Sequence, residues 1–118
     1  MRKLICCFRR KAGISVQEFQ SYWLEDHGGL ALRLREDLSA YRYTQSHTIV
    51  RKMTDKARAV RQTAEPFDGI AEAWFQDEVE IKDVEANRKA LAQMVEDEAK
   101  FIDFKNSVVF YTEEHQIF

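Results

Sequence analysis

Short apolar runs and amphipathic stretches follow one another along the chain and give six principal elements. Residues 4–8 are apolar and are closed by Arg9-Arg10-Lys11-Ala12-Gly13, which predicts a buried first strand and a turn at Gly13. Ser15-Val16-Gln17-Glu18 has the form of a capping box, in which a serine cap is followed three residues later by a glutamate. Val16, Phe19, Tyr22 and Trp23 then recur at helical spacing, so a helix should run from there to His27-Gly28-Gly29, where glycine accepts a left-handed cap. Leu30, Leu32 and Leu34 suggest a second short helical or irregular piece. From residue 41 to 50 the period changes to two: Tyr41, Tyr43, Gln45, His47 and Ile49 share one face, and Arg42, Thr44, Ser46, Thr48 and Val50 the other. The polar segment 51–66 reads as a surface excursion with a turn or two of helix over 55–61. A third strand spans 69–75, with Ile70, Glu72 and Trp74 on one side and Ala71, Ala73 and Phe75 on the other. Helix formers dominate from 77 to 103 with one break near 84–87, and 107–112 is a last strand.

Strand, helix, strand, strand, helix, strand is the order of an α+β, ferredoxin-like split β-α-β unit: a four-stranded antiparallel sheet with both helices on one face. Such a sheet leaves its second face bare. Here Phe75, Val108, Phe110 and the β-branched positions place apolar material on both faces, and a large bare apolar patch is unusual on a monomer. A homodimer that closes two sheets face to face is therefore expected, and the tail ending in Ile117-Phe118 is placed to wrap over the partner.

Composition narrows the function classes. A chain of 118 residues fits one domain, 1–118, and 45% hydrophobic residues suffice for a core. Charged residues reach 32%, but the signs are mixed and the net charge is −2, which argues against a nucleic-acid surface. The basic stretch 52–61 also contains Asp55 and reads as a solvated segment. No apolar run approaches the ~18 residues of a membrane span, and the apolar N-terminal run is too short for a signal peptide. Cys6 and Cys7 are neighbours on a strand, point to opposite faces and cannot staple the fold, so they read as packing residues in a reducing cytoplasm.

Two clusters carry candidate chemistry. In the first, Trp23 and His27 lie one helical turn apart beside Tyr22; His27 either caps its helix or serves as an acid/base. In the second, Tyr43, Gln45 and His47 share a face of one strand, and Glu72 and Trp74 share a face of another, with direct contact between the two sets left open. Polar side chains at core-facing positions need partners or a ligand. Glu98, Asp103 and Tyr111 are lesser titratable candidates. His27, His47 and His115 have no metal-ligand spacing, and no Gly-rich phosphate loop is present, so neither a metal nor a cofactor is expected.

Several separated motifs, in order and over nearly the whole chain, resemble the EthD family. They are Phe8-Arg9-Arg10-Lys11-Ala12-Gly13-Ile14-Ser15-Val16 with Phe19, Tyr22-Trp23 and His27-Gly28; Arg42-Tyr43-Thr44-Gln45-Ser46-His47; Phe67-Asp68-Gly69-Ile70-Ala71-Glu72-Ala73-Trp74-Phe75; Asp97-Glu98-Ala99-Lys100-Phe101-Ile102-Asp103; and Thr112-Glu113-Glu114-His115. The resemblance implies a dimeric α+β barrel with a pocket between sheet and helices. Relatives of similar fold include muconolactone isomerases, fungal polyketide dehydratases and small cofactor-free monooxygenases. It implies a cofactor-free protein for a small, hydrophobic, oxygenated molecule, working by proton transfer of the dehydratase or isomerase type, in catabolism or secondary metabolism. Its counterpart is a non-catalytic ligand-binding or accessory protein for a partner oxygenase. On this reading His27 and Glu72 are the catalytic residues, and Trp23, Tyr43, Gln45, His47 and Trp74 bind the substrate. The family often has proline where Ala12 and Gly29 stand and a Pro-Gly insertion before Tyr43, where this chain has Ser39-Ala40, so the pocket mouth is expected to differ.

Overall fold

Alternation of apolar side chains in β1 (Arg2–Phe8) sends Leu4, Cys6 and Phe8 to one face of a sheet and Lys3, Ile5 and Cys7 to the other. The computed structural model describes residues 2–76 and 81–118. Four antiparallel strands lie in the order β2-β3-β1-β4, with β2 at Arg42–His47, β3 at Gly69–Phe75 and β4 at Val108–Glu113. This is the α+β ferredoxin-like arrangement that the element order implied. β2 is shorter than the expected 41–50, because pairing with β3 runs only from Arg42↔Trp74 to His47↔Gly69. β2 and β3 are direct neighbours, but the pairing puts the two side-chain sets, 43/45/47 and 72/74, on opposite faces.

The register fixes which side chains share a face. Tyr43 pairs with Ala73 and Gln45 with Ala71, so Tyr43, Gln45 and His47 lie on the helix-covered face with Leu4, Cys6 and Phe8. Glu72 and Trp74 pair with Thr44 and Arg42 and lie on the opposite, outer face.

The first helical stretch differs from expectation. Ser15 does cap α1 (Val16–Ser21), its hydroxyl accepting from the Glu18 amide at 3.1 Å, and Gly13 does take the left-handed turn at φ 85°. The helix does not stop at Gly28. A π-helical turn, Tyr22–His27, leads directly into α2 (Gly28–Leu38), and Ser21, Tyr22, His27 and Gly28 all keep right-handed helical angles. The reason lies in the stripe Phe19, Trp23, His27, Ala31, which is buried at every fourth residue. An α-helix of 3.6 residues per turn rotates such a stripe by about 40° at each step. The wider π turn absorbs the drift and keeps all four residues facing inward. α2 ends instead at Ser39, which is left-handed at φ 63°.

α3 (Lys52–Arg61) is a surface helix with no buried residue, longer than the turn or two expected. α4 (Val84–Glu98) begins at the Asp83 cap, whose carboxylate accepts from the Ala86 amide at 3.0 Å. The expected break near 84–87 is thus a helix start; residues 77–80 of the expected helical stretch lie outside the described residues. The core joins Phe8, Phe19, Trp23, Ala71, Phe101 and Ile102. Phe101 meets the rings of Phe19, Tyr22 and His27 at 5.6, 5.1 and 5.3 Å. Among the described residues no helix is long and apolar enough to cross a membrane.

Candidate functional site

Between the inner sheet face and α2 and α4 lies a cavity of about 920 Å³. Its walls are largely apolar, with Leu4, Phe8, Leu91, Met94 and Val95 among them; His27, Tyr43 and Glu98 reach it as polar groups.

His27 is buried to 1% exposure, which rules out the exposed helix cap as its role. Its Nδ1 lies 2.7 Å from Asp97 Oδ2, and its Nε2 lies 3.7 Å from Glu98 Oε2. Asp97 is clamped from its other oxygen: the Tyr22 hydroxyl donates to Oδ1 at 2.6 Å, and Lys100 Nζ stands 3.4 Å away. Burial alone would push the Asp97 carboxyl up, but these donors outweigh it and hold the group below the ordinary carboxylate range. An ionised Asp97 only accepts, so the hydrogen must sit on His27 Nδ1 and donate to it. Burial lowers the His27 pKa, partly countered by Asp97, so near neutral pH the ring is neutral and Nε2 presents a lone pair.

Glu98 is the group in the opposite condition. Burial, with a contribution from neighbouring Asp97, pushes its carboxyl up to about 7. Among the described residues it has no hydrogen-bond partner. At 3.7 Å its approach to His27 Nε2 is too long for a hydrogen bond and leaves both groups open to a third. Two adjacent carboxylates with opposite shifts, one fixed as an anion and one poised to exchange a proton, form a pattern characteristic of acid/base sites. Glu96, Asp97 and Glu98 also crowd the C-terminal end of α4, where the helix dipole disfavours anions and no basic residue stands in the last turn. Such a local conflict is expected where function overrides stability.

The residues singled out from the sequence are not all brought together. His27 and Tyr43 line the cavity. Trp23 is wholly buried in the core and stacks on His47 at 4.5 Å, and Gln45 stands behind Tyr43 rather than in the cavity wall. Glu72 borders the cavity, but its carboxylate turns to the outer face and pairs with Lys3 at 2.9 Å. Trp74 is also on the outer face, under Lys3 Nζ at 5.1 Å and the Arg42 guanidinium at 4.4 Å. Period-two alternation is the physical reason: 72 and 74 cannot share a face with 43, 45 and 47 once 43 pairs with 73. Asp97 and Tyr22 were not read as site residues, and Glu98 was ranked low.

The EthD domain matches residues 11–105, which takes in α1, the π turn, β2, β3 and the whole Asp97-Glu98 corner. The chain belongs to the EthD family. The crystal structure of HapK from Hahella chejuensis is similar in fold, with a TM-score of 0.51 and 12% identity, covering 98% of this chain and 93% of that one. No curated protein matches the sequence. The matched span thus contains the His27-Asp97-Glu98 cluster and all of the cavity lining except Leu4, Cys6, Phe8 and Val109.

Proposed function

We propose that this EthD domain is an enzyme that moves a proton on a small, apolar, oxygenated molecule by means of side chains alone. The reaction is of the dehydratase or isomerase type, next to a carbonyl. The observation that carries the reading is the Glu98 carboxyl, which among the described residues makes no hydrogen bond and faces His27 Nε2 across 3.7 Å in a largely apolar cavity. A carboxyl that titrates near pH 7 is well matched to general acid/base work at neutral pH. Glu98 as carboxylate takes a proton from the carbon beside the carbonyl. In an isomerisation it returns that proton to another carbon of the same conjugated system. In a dehydration the proton goes to the departing hydroxyl, which leaves as water. His27, held in one tautomer by Asp97, is the second acceptor for a proton in the same space.

The test is hydrogen–deuterium exchange in D2O, read by proton NMR, for a panel of bicyclic aromatic ketones and lactones. Enzyme-dependent loss of the α-proton signal at pH 7 is the expected result. Ligand binding, seen as a raised melting temperature, with no exchange for any member would replace this reading with a carrier that protects its ligand.

The second half of the proposal is a homodimer through the outer sheet face. Ile70, Val108 and Phe110 are 38, 45 and 44% exposed there, and they form an apolar surface of the kind that dimer interfaces cover. Phe110→Glu is expected to halve the mass seen by light scattering while the far-ultraviolet circular dichroism stays unchanged. A wild-type protein that already runs as a monomer would refute the dimer.

A further inference from the structure

Gln45 lies at the centre of a hydrogen-bond chain whose direction can be deduced. Its Nε2 lies 2.8 Å from the backbone carbonyl of Trp23 and 3.2 Å from the Tyr43 hydroxyl, and its Oε1 lies 2.8 Å from His47 Nε2. The Trp23 carbonyl can only accept, so the amide nitrogen must face it, and the orientation of the whole side chain follows. The two hydrogens of Nε2 then go to the Trp23 carbonyl and the Tyr43 oxygen. Oε1 must accept, so the neutral His47 ring carries its hydrogen on Nε2. The Tyr43 oxygen has received a hydrogen bond and cannot return its own along the same line. Among the described residues no group takes the Tyr43 hydrogen, and Tyr43 lines the cavity.

We infer that Tyr43 is a committed hydrogen-bond donor to the occupant of the cavity, with Gln45 and His47 as the positioning residues that make it so. The ligand therefore brings an acceptor to Tyr43, and with the proton-transfer reading that acceptor is the oxygen of a ketone or related carbonyl compound. Stacking of His47 on Trp23, 16° from parallel, fixes the ring that fixes the amide. The π turn contributes as well. The Trp23 carbonyl takes the Gly28 amide in a five-residue bond, and the same oxygen also serves Gln45. As carbon loses its proton to Glu98, charge would grow on the carbonyl oxygen, where a preorganised donor has its largest effect. This inference rests on the proton-transfer reading for its chemistry, but its geometry stands apart from it.

Two measurements test it. Nitrogen-15 NMR of histidine-labelled protein should show His47 as the neutral Nε2–H tautomer at pH 7.5; an Nδ1–H tautomer overturns the inference. Calorimetric titration with 2-tetralone and with tetralin, its hydrocarbon counterpart, should show a preference for the ketone that falls about three- to tenfold in Tyr43→Phe. The same fall is expected in Gln45→Glu, where a buried neutral carboxyl donates to the Trp23 carbonyl and accepts from Tyr43, turning the tyrosine hydrogen away. A ketone preference unchanged in Tyr43→Phe overturns the inference. Deuterium exchange at the ketone α-carbon, read in the same samples, separates the two ideas. If exchange is absent but the Tyr43-dependent preference is present, proton transfer falls and the donor assignment holds.

Discussion

Glu98→Gln should slow α-proton exchange by about 10²–10⁴-fold, the usual contribution of a positioned general base, while making the protein more resistant to unfolding in mild alkali. The two effects have one cause. The folded-state pKa of Glu98 is raised, from 4.5 to about 7, by burial and by Asp97. Near pH 4 the group is protonated in both folded and unfolded chains and favours neither. As the pH rises through 4.5 the unfolded chain ionises and the folded one resists. Stability therefore declines across the window up to about pH 7 and stays reduced above it. At ~1.4 kcal/mol per unit of pKa, the penalty is on the order of 3–4 kcal/mol. Glutamine carries no such charge. The melting temperature of Glu98→Gln relative to wild type should therefore climb between pH 4 and pH 8. Thermal denaturation at a series of pH values checks this, and a flat difference would mean that Glu98 is not a buried acid. A slow but unstabilised variant would place the carboxyl in the reaction for reasons other than its environment.

Gly69→Ala should be the most damaging small change in the sheet. A Cβ at Gly69 would meet Trp23 Cζ3 at 2.3 Å, Trp23 Cη2 at 2.7 Å and the Ser46 carbonyl at 2.9 Å. None of these can retreat easily. The indole is fully buried between Phe8, Phe19 and His47, and the carbonyl belongs to the neighbouring strand. Overpacking of a core typically costs about 1–3 kcal/mol, and three rigid contacts put this site at the upper end. The melting temperature should fall by ~10 °C, at about 4 °C per kcal/mol for a chain of this size. Trp23→Phe removes the ring edge that clashes. In that background Gly69→Ala should cost far less, and the double-mutant cycle should be strongly non-additive. Additive losses would show that the glycine serves backbone freedom rather than the indole.

These results bear on how much the amino-acid pattern discloses. The order of elements along the chain, the division of β3 side chains into two faces, the Ser15 cap and the Gly13 turn are local or period-two properties, and all were legible. Gly28 was read as a helix stop because glycine after histidine fits a left-handed cap. Only the buried series Phe19, Trp23, His27, Ala31, spaced by four rather than by three and four, signalled that the helix continued through a wider turn. The His27-Asp97-Glu98 corner was harder to see. Asp97 lies 70 residues from His27 in the chain, and no spacing rule connects them. The legible hint was electrostatic: three acids at the end of α4 with no basic residue in that last turn. Trp74 and Glu72 drew attention because they are large or charged on a strand, yet the register with β2 sends them to the outer face.

The π turn has a consequence for comparing members of the family. A π turn is an α-helix with one residue too many, so a relative without it would be one residue shorter between Phe19 and Ala31. Matching such a sequence column by column without a gap would set the histidine position about 100° around the helix from where it belongs. A missing histidine in an ungapped alignment is then no proof of a missing side chain in space, and the gap belongs inside the segment Tyr22–His27.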